Sequence, residues 1–138
     1  MMDSFYMNGH GWSIKVEAHD SPMLVDRTGH ARLAVTDPRT FTVYLSEAIP
    51  SDILPRVLTH ELGHCAIYSF GLAYDIHKMV QQEYWIEAEE WVCNFIADYW
   101  LMMFQMLRDY LGEKAWNAVP KAIETAIVNR QPYTIYRR

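Results

Sequence analysis

Three residues in the middle of the chain have the types and the spacing of a metal-dependent hydrolase. The stretch THELGHCAIYSFG, residues 59–71, places His60 and His64 four residues apart, with Glu61 directly after the first histidine. On an α-helix, residues four apart lie on the same face, so both imidazoles can ligate one zinc ion. Glu61 lies about 100° further round the helix, where a carboxylate can act as general base toward a metal-bound water.

This geometry requires a helix, and the flanking sequence predicts one. Ser51 or Asp52 is expected to cap its start and Gly71 to end it. Apolar residues recur at helical spacing between them, at Ile53, Val57, Leu58, Leu62 and Ala66. Gly63 interrupts the motif at a cost of about 1 kcal/mol relative to Ala. That cost favours a close approach of another element, such as the helix that brings a third ligand.

A catalytic zinc site needs three protein ligands and one open position. The extended metzincin pattern would require glycine and histidine where this chain has Ile67 and Phe70, so that class is excluded. A glutamate from a later helix is the other common solution. Three candidates lie in the stretch YWIEAEEWVCNFIADYW, residues 84–100: Glu87, Glu89 and Glu90.

Glu90 is the predicted third ligand, with Glu87 as the open alternative. Asn94 lies four residues after Glu90 on the same helical face, where it can accept the free N–H of a ligating histidine. Glu87 and Glu89 have Trp91 and Cys93 at the equivalent position, and neither is as good an acceptor.

These motifs resemble those of the ImmA/IrrE family of small zinc metallopeptidases. That family carries HExxH on one helix and a glutamate, in a pattern near E-x-x-A-N-x-F-A, on a later helix. Here Glu90 follows His64 by 90 − 64 = 26 residues and begins EWVCNFIA, in which Cys93 and Ile96 replace the alanine and the phenylalanine. The resemblance covers roughly residues 30–105. It implies a zinc-dependent, gluzincin-type peptidase that hydrolyses one specific protein, such as a repressor, and an origin in a phage or mobile element.

Two further parts of a peptidase site have candidates. In related gluzincin-type enzymes, a strand beside the active-site helix pairs with extended substrate, and the residues expected in this role are Thr42, Val43, Tyr44 and Leu45. Tyr68 or His77 is the candidate for stabilising the tetrahedral oxyanion. For both of these residues, a structural role is the favoured interpretation.

The order of the elements predicts an α+β fold in one zincin-like domain, residues 1–138. Residues 12–18 alternate like a half-buried strand, and residues 32–46 have two strand-like runs around an Asp-Pro turn. A small antiparallel or mixed sheet should therefore precede the active-site helix. A long helix over 84–111 and a last helix over 113–128 complete the prediction.

Composition excludes several functions. The net charge is −5 and no basic run is present, which argues against a nucleic-acid partner. No signal peptide or membrane-length apolar run is visible, so the protein is expected to be soluble and cytoplasmic, without a membrane partner.

One alternative function depends on the long helix. Residues 99–112, YWLMMFQMLRDYLG, are apolar nearly all round, which favours a homodimer or another protein partner if they are not core. The chain would then be a non-enzymatic, zinc-stabilised interaction module. Cys65 and Cys93 flank the ligands, and a closed four-ligand site would favour this reading, although both are interpreted as buried small residues.

Overall fold

The computed structural model describes residues 3–116 and 121–134. It confirms the α+β class, since a four-stranded mixed sheet precedes the helices. Inter-residue contacts divide the chain into two compact units, Met1–Trp100 and Leu101–Arg138. All the predicted site residues lie in the first unit.

The sheet has the strand order β1-β2-β4-β3. Its strands are β1 (Ser4–Met7), β2 (His10–Glu17), β3 (Ala34–Asp37) and β4 (Thr42–Ser46). β2 and β4 are parallel, while β1 pairs with β2 and β3 pairs with β4 in antiparallel fashion. The predicted hairpin therefore exists, but its second strand lies inside the sheet and its first strand lies at an edge.

β1 was not predicted, although the sequence contains a signal for it. Asn8 and Gly9 join β1 to β2 with φ angles of 49° and 76°. Two consecutive positive φ values are typical of a type I′ hairpin turn, for which Asn-Gly is a preferred sequence. The four-residue strand was too short to be recognised from its own pattern.

The helices agree with the prediction in most of their extent. They are α1 (Leu54–Ser69), α2 (Ala73–His77), α3 (Trp85–Leu111) and α4 (Lys121–Val128). α2 lies between the two main predicted helices, where no helix was predicted. The predicted last helix over 113–128 begins instead as a 3-10 turn, Gly112–Trp116, and its residues 117–120 lie outside the described part of the chain.

The two ends of α1 differ in how well they were predicted. No side chain caps its start, so the predicted cap at Ser51 or Asp52 is wrong; the Leu54 N–H instead donates to the Pro50 carbonyl at 3.1 Å. The end agrees with the prediction, because Gly71 follows the helix with φ +65°, the left-handed conformation that ends many helices.

α1 covers one face of the sheet and forms the core with it. The buried cluster consists of Trp12, Ala34, Val43, Leu45 and Cys65. The indole N–H of Trp12 donates to Ser69 Oγ at 2.8 Å within this cluster, so its polar atom is satisfied. Cys65 and Cys93 are buried free thiols, as predicted.

α3 exposes many large apolar side chains to solvent. Trp91 is 66% exposed and Tyr110 is 87% exposed. Within the described residues, no helix has both the length and the hydropathy needed to cross a membrane.

Candidate metal centre

Three predicted ligands converge between α1 and α3. His60 Nε2 lies 3.2 Å from His64 Nε2 and 3.0 Å from Glu90 Oε2. The second oxygen of Glu90, Oε1, lies 3.3 Å from His64 Nε2. This group could hold a metal ion. Glu87, the alternative third ligand, is exposed and does not belong to the group.

Known proteins add no constraint to this interpretation. No protein-family model matches the chain, and no curated protein or solved structure matches it. The interpretation of the cluster of His60, His64 and Glu90 therefore depends on distances, burial and charge within the chain itself.

A glycine allows the two helices to approach at this point. A Cβ placed on Gly63 would lie 3.1 Å from Cys93 Sγ and 3.5 Å from Cys93 Cα. The first distance is tighter than ordinary van der Waals contact, so a side chain there would press against α3. The predicted reason for Gly63 is confirmed: it allows α3 to bring its glutamates next to the histidines.

The residue that orients His64 is Glu89, not Asn94. His64 Nδ1 lies 2.7 Å from Glu89 Oε2, and Glu89 is only 1% exposed. Asn94 is exposed, and His60 Nδ1 is buried without a hydrogen-bond partner among the described residues. The predicted role of Asn94 is therefore wrong. A carboxylate on Nδ1 fixes the ring so that Nε2 faces the other ligands.

The surroundings of His64 favour positive charge. Burial alone would lower the pKa of His64, but hydrogen bonds with the Cys93 thiol and with the carboxylates of Glu89 and Glu90 raise it to about 12. The pKa of Glu89 shifts in the opposite direction. Burial raises this pKa, but interactions with His64 and Arg27 outweigh burial and hold the pKa of Glu89 below its usual value. The carboxylates of Glu89 and Glu90 therefore favour the protonated form of this imidazole.

The predicted general base, Glu61, is buried beside the cluster. The hydroxyl of Thr36, on β3, donates to Glu61 Oε2 at 2.5 Å. This bond holds one oxygen of the Glu61 carboxylate in place. Glu61 lines the same cleft as the three ligands.

The cleft itself has a volume of about 1060 Å³. Its walls come from α1, from β3, from the segment before β3 and from the first turns of α3. Small-molecule pockets commonly measure about 300–1,000 Å³, so this open cleft has room for a polypeptide segment.

The strand available to such a segment is β3, and the predicted choice of β4 is wrong. β4 pairs with β2 along one edge and with β3 along the other, so Thr42–Leu45 have no open edge. All five residues of β4 are also buried. Sequence reasoning identified both strands of the hairpin but could not assign the sheet order.

Backbone groups of two β3 residues face the open edge. The Ser46 N–H donates to the Leu33 carbonyl at 2.8 Å. Bonded and non-bonded pairs alternate along an antiparallel ladder, so Val35 bonds to β4 while Ala34 and Thr36 turn their N–H and C=O groups outward. Ala34 and Thr36 are therefore the residues of β3 that can pair with an added strand.

The two candidates for oxyanion stabilisation have different positions. The Tyr68 hydroxyl lines the cleft, but it accepts from Arg27 Nη1 at 3.1 Å and donates to Glu89 Oε1 at 3.3 Å. His77 lies outside the cleft lining and stacks on Trp85 with ring centroids 4.4 Å apart. The structural interpretation fits both residues.

Sequence reasoning missed Arg27 and Thr36, and it considered Glu89 only as a candidate ligand and not as the partner of His64. Glu89 had a signal, because it adjoins Glu90 and therefore projects about 100° away from it on the same turn. Arg27 and Thr36 had none, since the bonds they make to the site span 62 and 25 residues of sequence. No local periodicity encodes such contacts.

Proposed function

We propose that the chain is a zinc-dependent peptidase similar to the ImmA/IrrE family, which hydrolyses a peptide bond in a specific protein. The observation that carries the proposal is the convergence of His60, His64 and Glu90 in a cleft that Glu61 also lines. Two imidazole nitrogens and a carboxylate are a ligand set that catalytic zinc sites use.

The distances between ligand atoms support zinc as the metal. Ligand atoms at about 2.0–2.1 Å from a tetrahedral zinc lie about 3.3 Å from one another. In this chain His60 Nε2 and His64 Nε2 lie 3.2 Å apart, and each of them lies near a different oxygen of Glu90: His60 Nε2 is 3.0 Å from Oε2 and His64 Nε2 is 3.3 Å from Oε1. The mixed nitrogen and oxygen set suits zinc better than magnesium, which prefers oxygen ligands.

The chain's own residues have distinct roles in the proposed reaction. Zinc, when bound, lowers the pKa of a water molecule and polarises a peptide carbonyl. Glu61 takes up a proton and passes it to the departing amine. Thr36 holds Oε2, so the carboxylate keeps one orientation during the transfer. Glu89 holds the His64 ring from the opposite side.

An extended polypeptide is the substrate class that fits the cleft. Ala34 and Thr36 offer backbone donors and acceptors at the open edge of β3, and a substrate strand can pair there. Thr36 also contacts Glu61, so a paired segment would lie beside the general base. The family resemblance extends the proposal to a repressor-like substrate and a phage or mobile-element origin.

The decisive experiment compares wild type with Glu61→Gln on the full chain. Each protein is loaded with one equivalent of zinc and incubated with a proteome-derived peptide library, and products are identified by mass spectrometry. Wild type is expected to cleave internal bonds. Glu61→Gln should bind zinc equally well and cleave at least about 100-fold more slowly, since a general base contributes about 10²–10⁴.

Glu87→Gln is the matched control, because Glu87 is an exposed glutamate outside the metal cluster. It should retain both zinc and activity. A Glu61→Gln protein that cleaves at the wild-type rate overturns the mechanism.

A second function, binding without hydrolysis, is favoured by one observation. Trp91, Phe95 and Tyr99 form an exposed aromatic row along α3, with successive ring centroids 5.6 and 5.4 Å apart. Such an exposed aromatic row suits a protein partner or a second copy of the chain. A zinc-loaded wild type that cleaves no peptide, but forms dimers by light scattering, would favour this function.

A further inference from the structure

The segment that precedes β3 is organised around one carboxylate. Asp26 Oδ1 accepts from the backbone N–H groups of Thr28 and His30 at 2.8 and 3.0 Å. Asp26 Oδ2 accepts from Arg32 Nε at 2.7 Å. These bonds fix the backbone on both sides of Arg27, whose side chain lines the cleft.

Arg27 reaches the residues behind the metal cluster. Its Nη2 lies 2.8 Å from Glu89 Oε2 and 3.7 Å from Glu90 Oε1, and its Nη1 lies 3.1 Å from the Tyr68 hydroxyl. Glu89 Oε2 is also the atom that contacts His64 Nδ1. One carboxylate oxygen therefore joins Arg27 to a ligating histidine.

We propose that Arg27 is a positioning residue of the metal centre, which fixes Glu89 against His64 and balances the charge of the adjacent Glu89 and Glu90 carboxylates. The inference rests on the proposed function and deepens it. Without the guanidinium, two neighbouring carboxylates repel each other, and Glu89 loses the donor that sets its rotamer. His64 Nε2 and Glu90 would then no longer be held at their ligand positions.

The shape of the guanidinium matters as well as its charge. Arg27 bonds to Tyr68 and Glu89 through different nitrogens of one planar group. A lysine ammonium supplies the charge from a single point and cannot reproduce the fork. Arg27→Lys is therefore expected to restore part of what Arg27→Ala loses.

Zinc affinity of the full chain tests the proposal without reference to activity. Kd is measured by competition with a chromophoric chelator, and the cobalt-loaded proteins are compared by their visible d–d absorption. Arg27→Ala is expected to weaken zinc binding about 10- to 100-fold, the range typical of residues that support a ligand, and to change the cobalt spectrum. Arg27→Lys should lie between Arg27→Ala and wild type.

Two further variants test whether Arg27 acts on the metal centre through Glu89. Arg39→Ala removes another arginine of the cleft lining, one that is paired with Asp37, and should bind zinc within about twofold of wild type. Glu89→Gln should weaken zinc binding to a similar extent as Arg27→Ala. The two substitutions should not combine independently. The loss of zinc affinity in the double variant should be much smaller than the product of the two single losses, because both residues act through the same contact.

The outcomes separate this inference from the proposed function. A wild type that binds no zinc overturns both. The role of Arg27 alone is overturned if the wild type binds zinc and the Arg27→Ala and Arg27→Lys proteins bind it within twofold of wild type. These two variants would also have to show the wild-type cobalt spectrum. A merely structural ion pair would give that second result even if the variants unfold at a lower temperature.

Discussion

His64 Nδ1 lies 2.7 Å from Oε2 of Glu89, a carboxylate buried almost completely between α1 and α3. The next residue, Glu90, approaches the other nitrogen of the same ring at 3.3 Å. Two consecutive glutamates of one helix thus serve the two sides of one imidazole. Because neighbours on a helix point about 100° apart, one turn of α3 supplies both a candidate metal ligand, Glu90, and the carboxylate of Glu89 on the other side of the ring.

Glu90→Ala should remove the third ligand of the metal centre. Zinc affinity is expected to fall by more than the roughly 100-fold that losing an orienting residue costs, while Glu87→Ala should leave it unchanged. Chelator competition on both proteins measures the difference. Equal losses from the two substitutions would show that the wrong glutamate has been assigned.

Thr36→Val should slow catalysis without affecting metal binding. Valine keeps the shape of the side chain but removes the hydroxyl that bonds to Glu61, a hydrogen bond to a charged group worth about 1.5–3 kcal/mol. We expect kcat to fall about 10-fold or more on the peptide that wild type cleaves fastest. Thr42→Val is the control, since the Thr42 hydroxyl bonds to the Thr40 carbonyl; a loss of equal size there would contradict the prediction.

Asp26→Asn should destabilise the protein in a pH-dependent way. Burial raises the pKa of Asp26, but hydrogen bonds from Thr28, Arg32 and the His30 backbone outweigh that effect and hold the pKa well below its usual value. The ionised form is therefore favoured by folding. Its contribution is fully present above the unfolded pKa of about 3.9 and is lost as the pH falls from there toward the folded pKa.

Urea unfolding of wild type and Asp26→Asn measures this contribution. The difference in unfolding free energy should be about 1–3 kcal/mol at pH 7 and should shrink steadily below pH 4. A difference that stays constant between pH 7 and pH 3 would mean that the carboxylate charge of Asp26 does not stabilise the segment.

Gly63 and Cys93 should show energetic coupling. Gly63→Ala gains about 1 kcal/mol of helix propensity but brings a methyl group to 3.1 Å from Cys93 Sγ. In a Cys93→Ala background that contact is relieved, so Gly63→Ala should be more favourable there by about 1 kcal/mol. Urea unfolding of wild type, the two single variants and the double variant gives the coupling energy. A coupling energy below about 0.3 kcal/mol would mean that α1 and α3 move apart without loss of stability when the methyl group is added.

The errors of the sequence-based prediction share a cause. Asn94 was chosen because it lies four residues from Glu90, yet the group on His64 Nδ1 is Glu89, whose position depends on how α3 rotates against α1. β4 was chosen as the strand next to the active-site helix, yet only strand order determines which strand has an open edge. Both of these errors concern the relation between two elements, and neither concerns the type of an element that carries the site.

The sequence by itself determined what local periodicity encodes. The 3.6-residue repeat placed His60 and His64 on one face of α1 and located α3 to within one residue, while Gly63 indicated that another helix comes close. Only the tertiary structure decided that Glu89 supports His64, that β3 is the open strand, and that Arg27 and Thr36 reach the site from distant parts of the chain. Such contacts arise from the packing of whole elements, and packing depends on all the surfaces that meet rather than on any one segment.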